Sequence, residues 1–194
     1  GALAERLARA TEQGLDLAAL RSELHVLVPV ATSYFIAVAK LRALRLLVPQ
    51  VVAPFLENTD SKDSFSPSDV SLHAETSRRS DTRYDPYVNM LRATTEAMAA
   101  TVGGCDTLSV RPYDAAPQPP DAFGQRIARN TQLVLRHEAH TDQVADPAAG
   151  SYYVETLTDR LAQQAWEQFQ DLEAGGGILN ALRSGTLQQQ VAET

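Results

Sequence analysis

Cysteine, lysine and long apolar runs are scarce in this sequence. Among its 194 residues, Cys105 is the one cysteine, and Lys40 and Lys62 are the only lysines. A single cysteine forms no intrachain disulfide and supplies no thiolate metal cluster, which favours a reducing cytoplasm as the location. No run approaches the roughly 20 apolar residues of a membrane span, and residues 2–13 lack the apolar segment of a signal peptide. These absences predict a cytoplasmic location and no contact with a membrane.

The composition is that of a folded, acidic protein. Hydrophobic residues make up 44% of the chain and charged residues 21%, which indicates a globular fold. The formal net charge is -7, whereas a nucleic-acid-binding surface needs an excess of positive charge to neutralise phosphates. We therefore exclude a nucleic-acid partner.

Three apolar runs of strand length alternate with amphipathic helices. The predicted strands are residues 24–28, 70–74 and 107–110. The predicted helices are residues 2–13, 17–22, 34–48, 84–102, 123–138, 156–174, 178–184 and 187–192, with Pro49 and Pro54 ending or kinking the third. Residues 57–69 are polar without periodicity and predict a flexible surface loop. The alternation is typical of a parallel α/β architecture, but three strands are too few to close a barrel, which typically needs about 250 residues.

Four segments carry a resemblance to a known family. They are residues 85–92 (DPYVNMLR), 96–100 (EAMAA), 126–132 (RIARNTQ) and 144–155 (VADPAAGSYYVE). Together they resemble the acyl-CoA-binding barrel of the methylmalonyl-CoA mutase family. The resemblance implies that residues 1–194 are a single-domain fragment, the helix-rich C-terminal part of a (β/α)8 TIM-type barrel. It also implies that the first strands of the barrel and a separate cobalamin-binding domain lie outside this sequence.

The strand at residues 70–74 leads into one of the loops that carry the chemistry in such barrels. Catalytic mutases read His-x-Gln-Thr-Ser-Gly there, whereas this sequence is similar but reads HAETSR at residues 73–78. The resemblance makes His73 the substrate-facing histidine, which could donate a hydrogen bond to a thioester carbonyl. Glu75 replaces a glutamine, and a carboxylate accepts but does not donate when ionised. Arg78 replaces a glycine and puts a long side chain where the cofactor approaches.

The next strand end departs further from the catalytic pattern. By an ungapped count, Arg111 and Ala115 stand where catalytic subunits carry a cofactor-facing Asn and Glu. Residues 110–116 (VRPYDAA) instead resemble the non-catalytic small subunits of heterodimeric mutases. The cobalamin signature Asp-x-His-x-x-Gly occurs nowhere in the sequence. The resemblance therefore leaves His73 as the one catalytic candidate and implies that adenosylcobalamin is bound by a partner subunit, with no cofactor on this chain.

Two other polar clusters can be explained as ordinary solvent-exposed surface without a ligand. The arginines within residues 78–83 could meet CoA phosphates or an acidic partner, but Asp81 and Asp85 can neutralise them on a solvated face. His137 and His140 lie one helical turn apart without a third ligand. We predict no metal site.

Three functions remain open. The favoured one is an architectural, non-catalytic subunit or fragment of an isomerase, supporting the interconversion of (R)-methylmalonyl-CoA and succinyl-CoA. Its partner would be a catalytic mutase subunit or a second copy, because a partial barrel exposes strand edges that favour association. The first alternative is a fragment of a catalytic acyl-CoA mutase whose substrate half is missing. The second alternative is a stand-alone structural or interaction module.

Overall fold

The computed structural model describes residues 1–15, 24–56, 65–116 and 119–193. Its regular elements are α1 (Ala2–Glu12), β1 (His25–Val30), α2 (Tyr34–Leu56), β2 (Ser71–Thr76), α3 (Val88–Val102), β3 (Thr107–Ser109), α4 (Ala122–His137), α5 (Tyr152–Ala174), α6 (Gly177–Ser184) and α7 (Thr186–Ala192). Short 3-10 helices at Pro67–Asp69 and Arg78–Ser80 precede and follow β2. The helix predicted at residues 17–22 and residues 57–64 of the predicted flexible loop lie outside the described residues. None of the described helices is long and apolar enough to cross a lipid bilayer.

The three strands form one parallel sheet in the order β1-β2-β3. The register pairs Leu27 with His73, and His73 with Thr107. Helix α2 connects β1 to β2 and helix α3 connects β2 to β3, so the chain alternates strand and helix as the sequence predicts. The α/β class and the three strands are therefore confirmed, with each strand boundary within two residues of its predicted position.

Side chains alternate between two faces of this sheet. One face is buried and carries Val28, Val30, Leu72, Ala74 and Thr76. Helix α3 packs on that face and contacts all three strands. In the described part of the chain the opposite face is partly or largely exposed and carries His25, Leu27, Pro29, Ser71, His73, Glu75, Thr107 and Ser109. Parallel sheets are normally covered on both faces, so this open face distinguishes the chain from an ordinary parallel α/β domain.

Helix α2 continues through both of its prolines to Leu56, so the predicted end near residue 48 is wrong. Proline fixes φ near the helical value and lacks the amide proton, so it costs a hydrogen bond without forbidding the helix. Val48 and Val52, one turn apart, are 5% and 3% exposed. Their burial on one side of the helix offsets the lost hydrogen bonds.

Two other helices begin at positions that differ from the prediction. Helix α3 begins at Val88 rather than at residue 84, because Pro86 disfavours helical backbone at Asp85. Helix α5 begins at residue 152 rather than 156, because the Ser151 carbonyl already accepts the Glu155 amide at 2.9 Å. The remaining described helices begin and end within two residues of the predicted bounds.

The described chain forms two compact units. One contains the described parts of Gly1–Leu24, Arg45–Val70 and Arg160–Thr194; in it α1 packs against α6, and Phe65, within the loop predicted at residues 57–69, is 6% exposed. The other contains His25–Leu44 and Ser71–Asp159, and therefore the whole sheet. The single-domain interpretation of residues 1–194 stays a prediction.

Ion pairs with Arg42 hold the segment at residues 144–155 in place within the unit that contains the sheet. Arg42 of α2 pairs with Asp146 through Nη1, and its Nη2 donates to Glu155 Oε1 at 2.8 Å. The Glu155 carboxylate also accepts the Gly150 amide at 3.1 Å. Gly150 has a φ of 78°, which glycine adopts without steric cost. The turn predicted from the sequence is therefore held against α2 by an arginine.

Glu155→Gln should flatten the acid dependence of stability. The Gly150 amide, and next the Arg42 guanidinium, hold the pKa of Glu155 below its ordinary value of 4.5. The carboxylate therefore stabilises the folded chain above pH 4.5, and this contribution is lost as the pH falls through the lowered pKa. The midpoint temperature of thermal unfolding should fall less steeply between about pH 7 and about pH 3 for Glu155→Gln than for the exposed control Glu138→Gln. Equal slopes would contradict a stabilising role for ionised Glu155.

Candidate functional site

The three strands end at the same edge of the sheet, at Val30, Thr76 and Ser109. The Ser77 amide donates to the Val30 carbonyl at 2.9 Å, and the Arg111 amide donates to the Thr76 hydroxyl at 2.9 Å. These hydrogen bonds join neighbouring strand ends. The post-β2 loop (residues 77–87) and the post-β3 loop (residues 110–116) therefore leave the sheet side by side.

His73 lies within β2 on the open face, and both of its ring nitrogens meet hydroxyl groups of β3. Nδ1 is 2.7 Å from the Thr107 hydroxyl, and Nε2 is 3.0 Å from the Ser109 hydroxyl. We call these three residues the histidine cluster. Because a hydroxyl can donate or accept, either tautomer of the imidazole is satisfied. The ring is thus held by β3 and has no nitrogen left without a partner.

Glu75 and Arg111, two of the sequence-predicted site residues, meet in an ion-pair cluster with Asp81. Arg111 Nε donates to Asp81 Oδ2 at 3.3 Å, and Arg111 Nη1 lies 3.9 Å from Glu75 Oε1. The side chains of Arg111 and Asp81 are 16% and 12% exposed, whereas that of Glu75 is 35% exposed. The acid at position 75 and the base at position 111 therefore compensate each other's charge.

The other two predicted site residues lie apart from these clusters. Arg78 is exposed in the 3-10 helix that follows β2, where the Ser77 hydroxyl accepts the Arg79 amide at 3.2 Å and caps the turn. Ala115 lies in a turn, where its own amide donates to the Pro112 carbonyl at 3.1 Å. Within the described ranges, neither side chain joins the histidine cluster or the ion-pair cluster.

No metal centre emerges at this edge or elsewhere in the described residues. No group of three His, Cys, Asp or Glu side chains there could hold a metal ion. His137 ends α4, and His140 lies beyond it with a φ of 53°, so the regular helical spacing that suggested a pair does not extend to both residues.

Sequence reasoning missed the residues that hold these candidates in place. The sequence predicts Thr107 and Ser109 only as strand residues, although their spacing of two puts both on one face of β3. It groups Asp81 with the neighbouring arginines, whereas Asp81 pairs with Arg111. The contact between Glu75 and Arg111 had a signal in the sequence, because the resemblance puts an acid and a base at two positions where catalytic mutases carry neutral amides.

The ion pair between Asp81 and Arg111 should stabilise the fold more than the ion pair between Glu75 and Arg111. A double-mutant cycle of Asp81→Asn and Arg111→Met is expected to give a coupling of about 1 kcal/mol in the free energy of unfolding. The matched cycle with Glu75→Gln should give a smaller coupling, because its 3.9 Å contact is longer and its carboxylate is more exposed. Chemical denaturation measures both; a larger coupling for Glu75 is incompatible with the described geometry.

Comparisons with known proteins identify the family of this chain. The family model described as methylmalonyl-CoA mutase matches residues 3–194. The methylmalonyl-CoA mutase small subunit of Porphyromonas gingivalis is 37% identical over 188 residues, which are 97% of this chain and 30% of that protein. In Streptomyces virginiae the small subunit is 40% identical over 183 residues, or 94% of this chain and 29% of its own length. The large subunit of the same organism is 40% identical over 189 residues, or 97% of this chain and 25% of its own length.

This chain spans less than a third of the length of these relatives. Both subunit types match it to a similar degree, so percentage identity alone does not separate them. The matches nevertheless extend over nearly the whole chain, including the sheet and both loops at its edge. The chain belongs to the methylmalonyl-CoA mutase family.

Proposed function

We propose that this chain forms part of a mutase small subunit and that its role is architectural rather than catalytic. The observation that carries the proposal is the ion-pair cluster. By resemblance, Glu75 and Arg111 stand where catalytic mutases carry a glutamine and an asparagine, and here they neutralise each other together with Asp81. The charges of these side chains are balanced within the chain rather than by a substrate.

The histidine cluster supports the same role. To polarise a thioester carbonyl, a neutral histidine must direct one N–H at the developing oxyanion. In this chain both nitrogens of His73 face hydroxyl groups of Thr107 and Ser109. The ring would have to give up one of these partners before it could bind a carbonyl oxygen.

The open face of the sheet supports a barrel. Parallel strands are stable when both faces are covered, and one face of β1–β3 is already covered by helix α3. We assign the open face to the interior of a (β/α)8 barrel whose remaining strands come from outside this sequence. The small fraction of each relative that this chain spans leaves ample length for those strands.

Adenosylcobalamin does not fit the positions that would face it. By resemblance these positions are held by Arg111 and Ala115. Arg111 is a cation already paired with Asp81, and Ala115 is a methyl group, which offers neither a donor nor an acceptor to a nucleoside. We therefore place the cofactor, and the isomerisation of (R)-methylmalonyl-CoA to succinyl-CoA, on a catalytic partner subunit.

The alternative is a fragment of a catalytic mutase, and one observation favours it. His73 is retained at the substrate-facing position, and it lies on the open face of the sheet rather than among the helices. If the hydroxyls of β3 serve to orient this ring, His73 could act on a thioester once substrate displaces one of them. The architectural role and the catalytic alternative predict different values of kcat once the imidazole of His73 is removed.

Co-expression with a catalytic mutase subunit tests the architectural role. We expect a complex, visible by light scattering as the summed mass, that converts methylmalonyl-CoA to succinyl-CoA. His73→Gln, which retains groups able to bond Thr107 and Ser109, should leave kcat within about twofold, since a residue without a catalytic role makes no contact that strengthens in the transition state.

The matched control is His137→Gln, which makes the same replacement at the end of α4. A fall in kcat of about a hundredfold or more for His73→Gln alone, with the complex intact, would establish the catalytic alternative. Absence of any complex, together with unchanged activity of the partner on its own, would overturn the architectural role.

A further inference from the structure

Helix α3 turns two buried polar side chains toward the loops at the sheet edge. Asn89 is 1% exposed and Glu96 is 2% exposed. Seven residues apart, they lie on the same side of the helix, two turns from each other. They belong to the segments at residues 85–92 and 96–100, whose polar residues the proposed function leaves unexplained.

Asn89 binds both loops with one side chain. Its Oδ1 accepts the Thr82 amide at 2.9 Å, and its Nδ2 donates to the Thr82 carbonyl at 2.9 Å and to the Tyr113 carbonyl at 3.0 Å. Arg92 Nη1 also donates to Oδ1 at 3.1 Å. A primary amide offers two donors and two acceptor sites, and all four are used here.

Glu96 holds the beginning of the post-β2 loop. Its Oε2 accepts the Ser77 amide at 2.9 Å. Burial raises the pKa of this carboxyl, while the Ser80 hydroxyl and the Ser77 amide favour its charged form. Helix α3 therefore fixes the post-β2 loop at two points, at its beginning through Glu96 and Ser77 and at its middle through Asn89 and Thr82.

We propose that Asn89 is a positioning residue that couples the post-β2 and post-β3 loops into one rigid unit. Asp81 lies on the first loop and Arg111 on the second, one and two residues from the Asn89 contacts at Thr82 and Tyr113. The contact between Asp81 and Arg111 thus depends on the relative placement of two loops that Asn89 ties together. This inference concerns the loops of this chain and holds whether or not the proposed architectural function is correct.

The chemistry of the amide is what the coupling requires. An aspartate at this position has nearly the same shape but no donor, so it would set a carboxylate against the carbonyl oxygens of Thr82 and Tyr113. Asn89→Asp therefore tests donor chemistry at constant volume. The control is Asn130→Asp, which makes the same charge change at an exposed position of α4.

Hydrogen exchange on the full chain reads out both loops separately. In Asn89→Asp we expect exchange to rise by about tenfold to a hundredfold in peptides covering residues 80–86 and also in peptides covering residues 111–116. The Ser77 amide should keep its protection, because Glu96 still binds it. The coupling between Asp81 and Arg111 should fall toward zero in the Asn89→Asp background, an effect that general destabilisation does not produce.

Three results would overturn the proposal. One is hydrogen exchange in both loops of Asn89→Asp that equals the exchange in Asn130→Asp. Another is an increase in hydrogen exchange that is confined to one of the two loops. The third is a uniform rise that includes β2 and α4, which would make Asn89 a residue of general stability only. If Asn89→Asp fails to fold, Asn89→Ala removes the same donors without adding a charge and is judged by the same criteria.

Discussion

The organisation of this chain depends on the two-residue alternation of side chains in a parallel sheet that helices cover on one face. Val28, Leu72 and Ala74 point to that face and are buried, so the residues between them must point the other way. The alternation therefore decides which side chains are available for contact. His73, Glu75 and the hydroxyls of β3 share the open face for no other reason than their parity along the strands.

Polar side chains on this face and in the loops beside it bind one another. The imidazole of His73 meets two hydroxyls, and the guanidinium of Arg111 meets two carboxylates. An isolated arginine with 16% exposure would be costly, so the acids beside it stabilise the fold whatever the protein does. This internal pairing holds the two loops at the sheet edge together.

The sequence predicted the strands well because each is a short apolar run bounded by polar or turn-forming residues. It predicted the end of α2 wrongly because local propensity at Pro49 and Pro54 was outweighed by packing at Val48 and Val52, which periodicity alone does not measure. The five candidate positions followed from the resemblance, but their partners did not. Asp81 is close to the arginines of its own loop in sequence and binds Arg111 on the neighbouring loop, a contact between residues 30 positions apart that no local pattern indicates.

The segments that carry the family resemblance lie mainly at positions that hold loops. Asn89 and Glu96 fasten the loops after β2 and β3, while Asp146 and Glu155 fasten a third turn to Arg42. Each of these four residues bonds a backbone amide or a guanidinium of the same chain, and such contacts hold loops in place without any substrate. These contacts are made by residues other than Glu75, Arg111 and Ala115. The residues that carry the family resemblance thus include those that hold these loops in place.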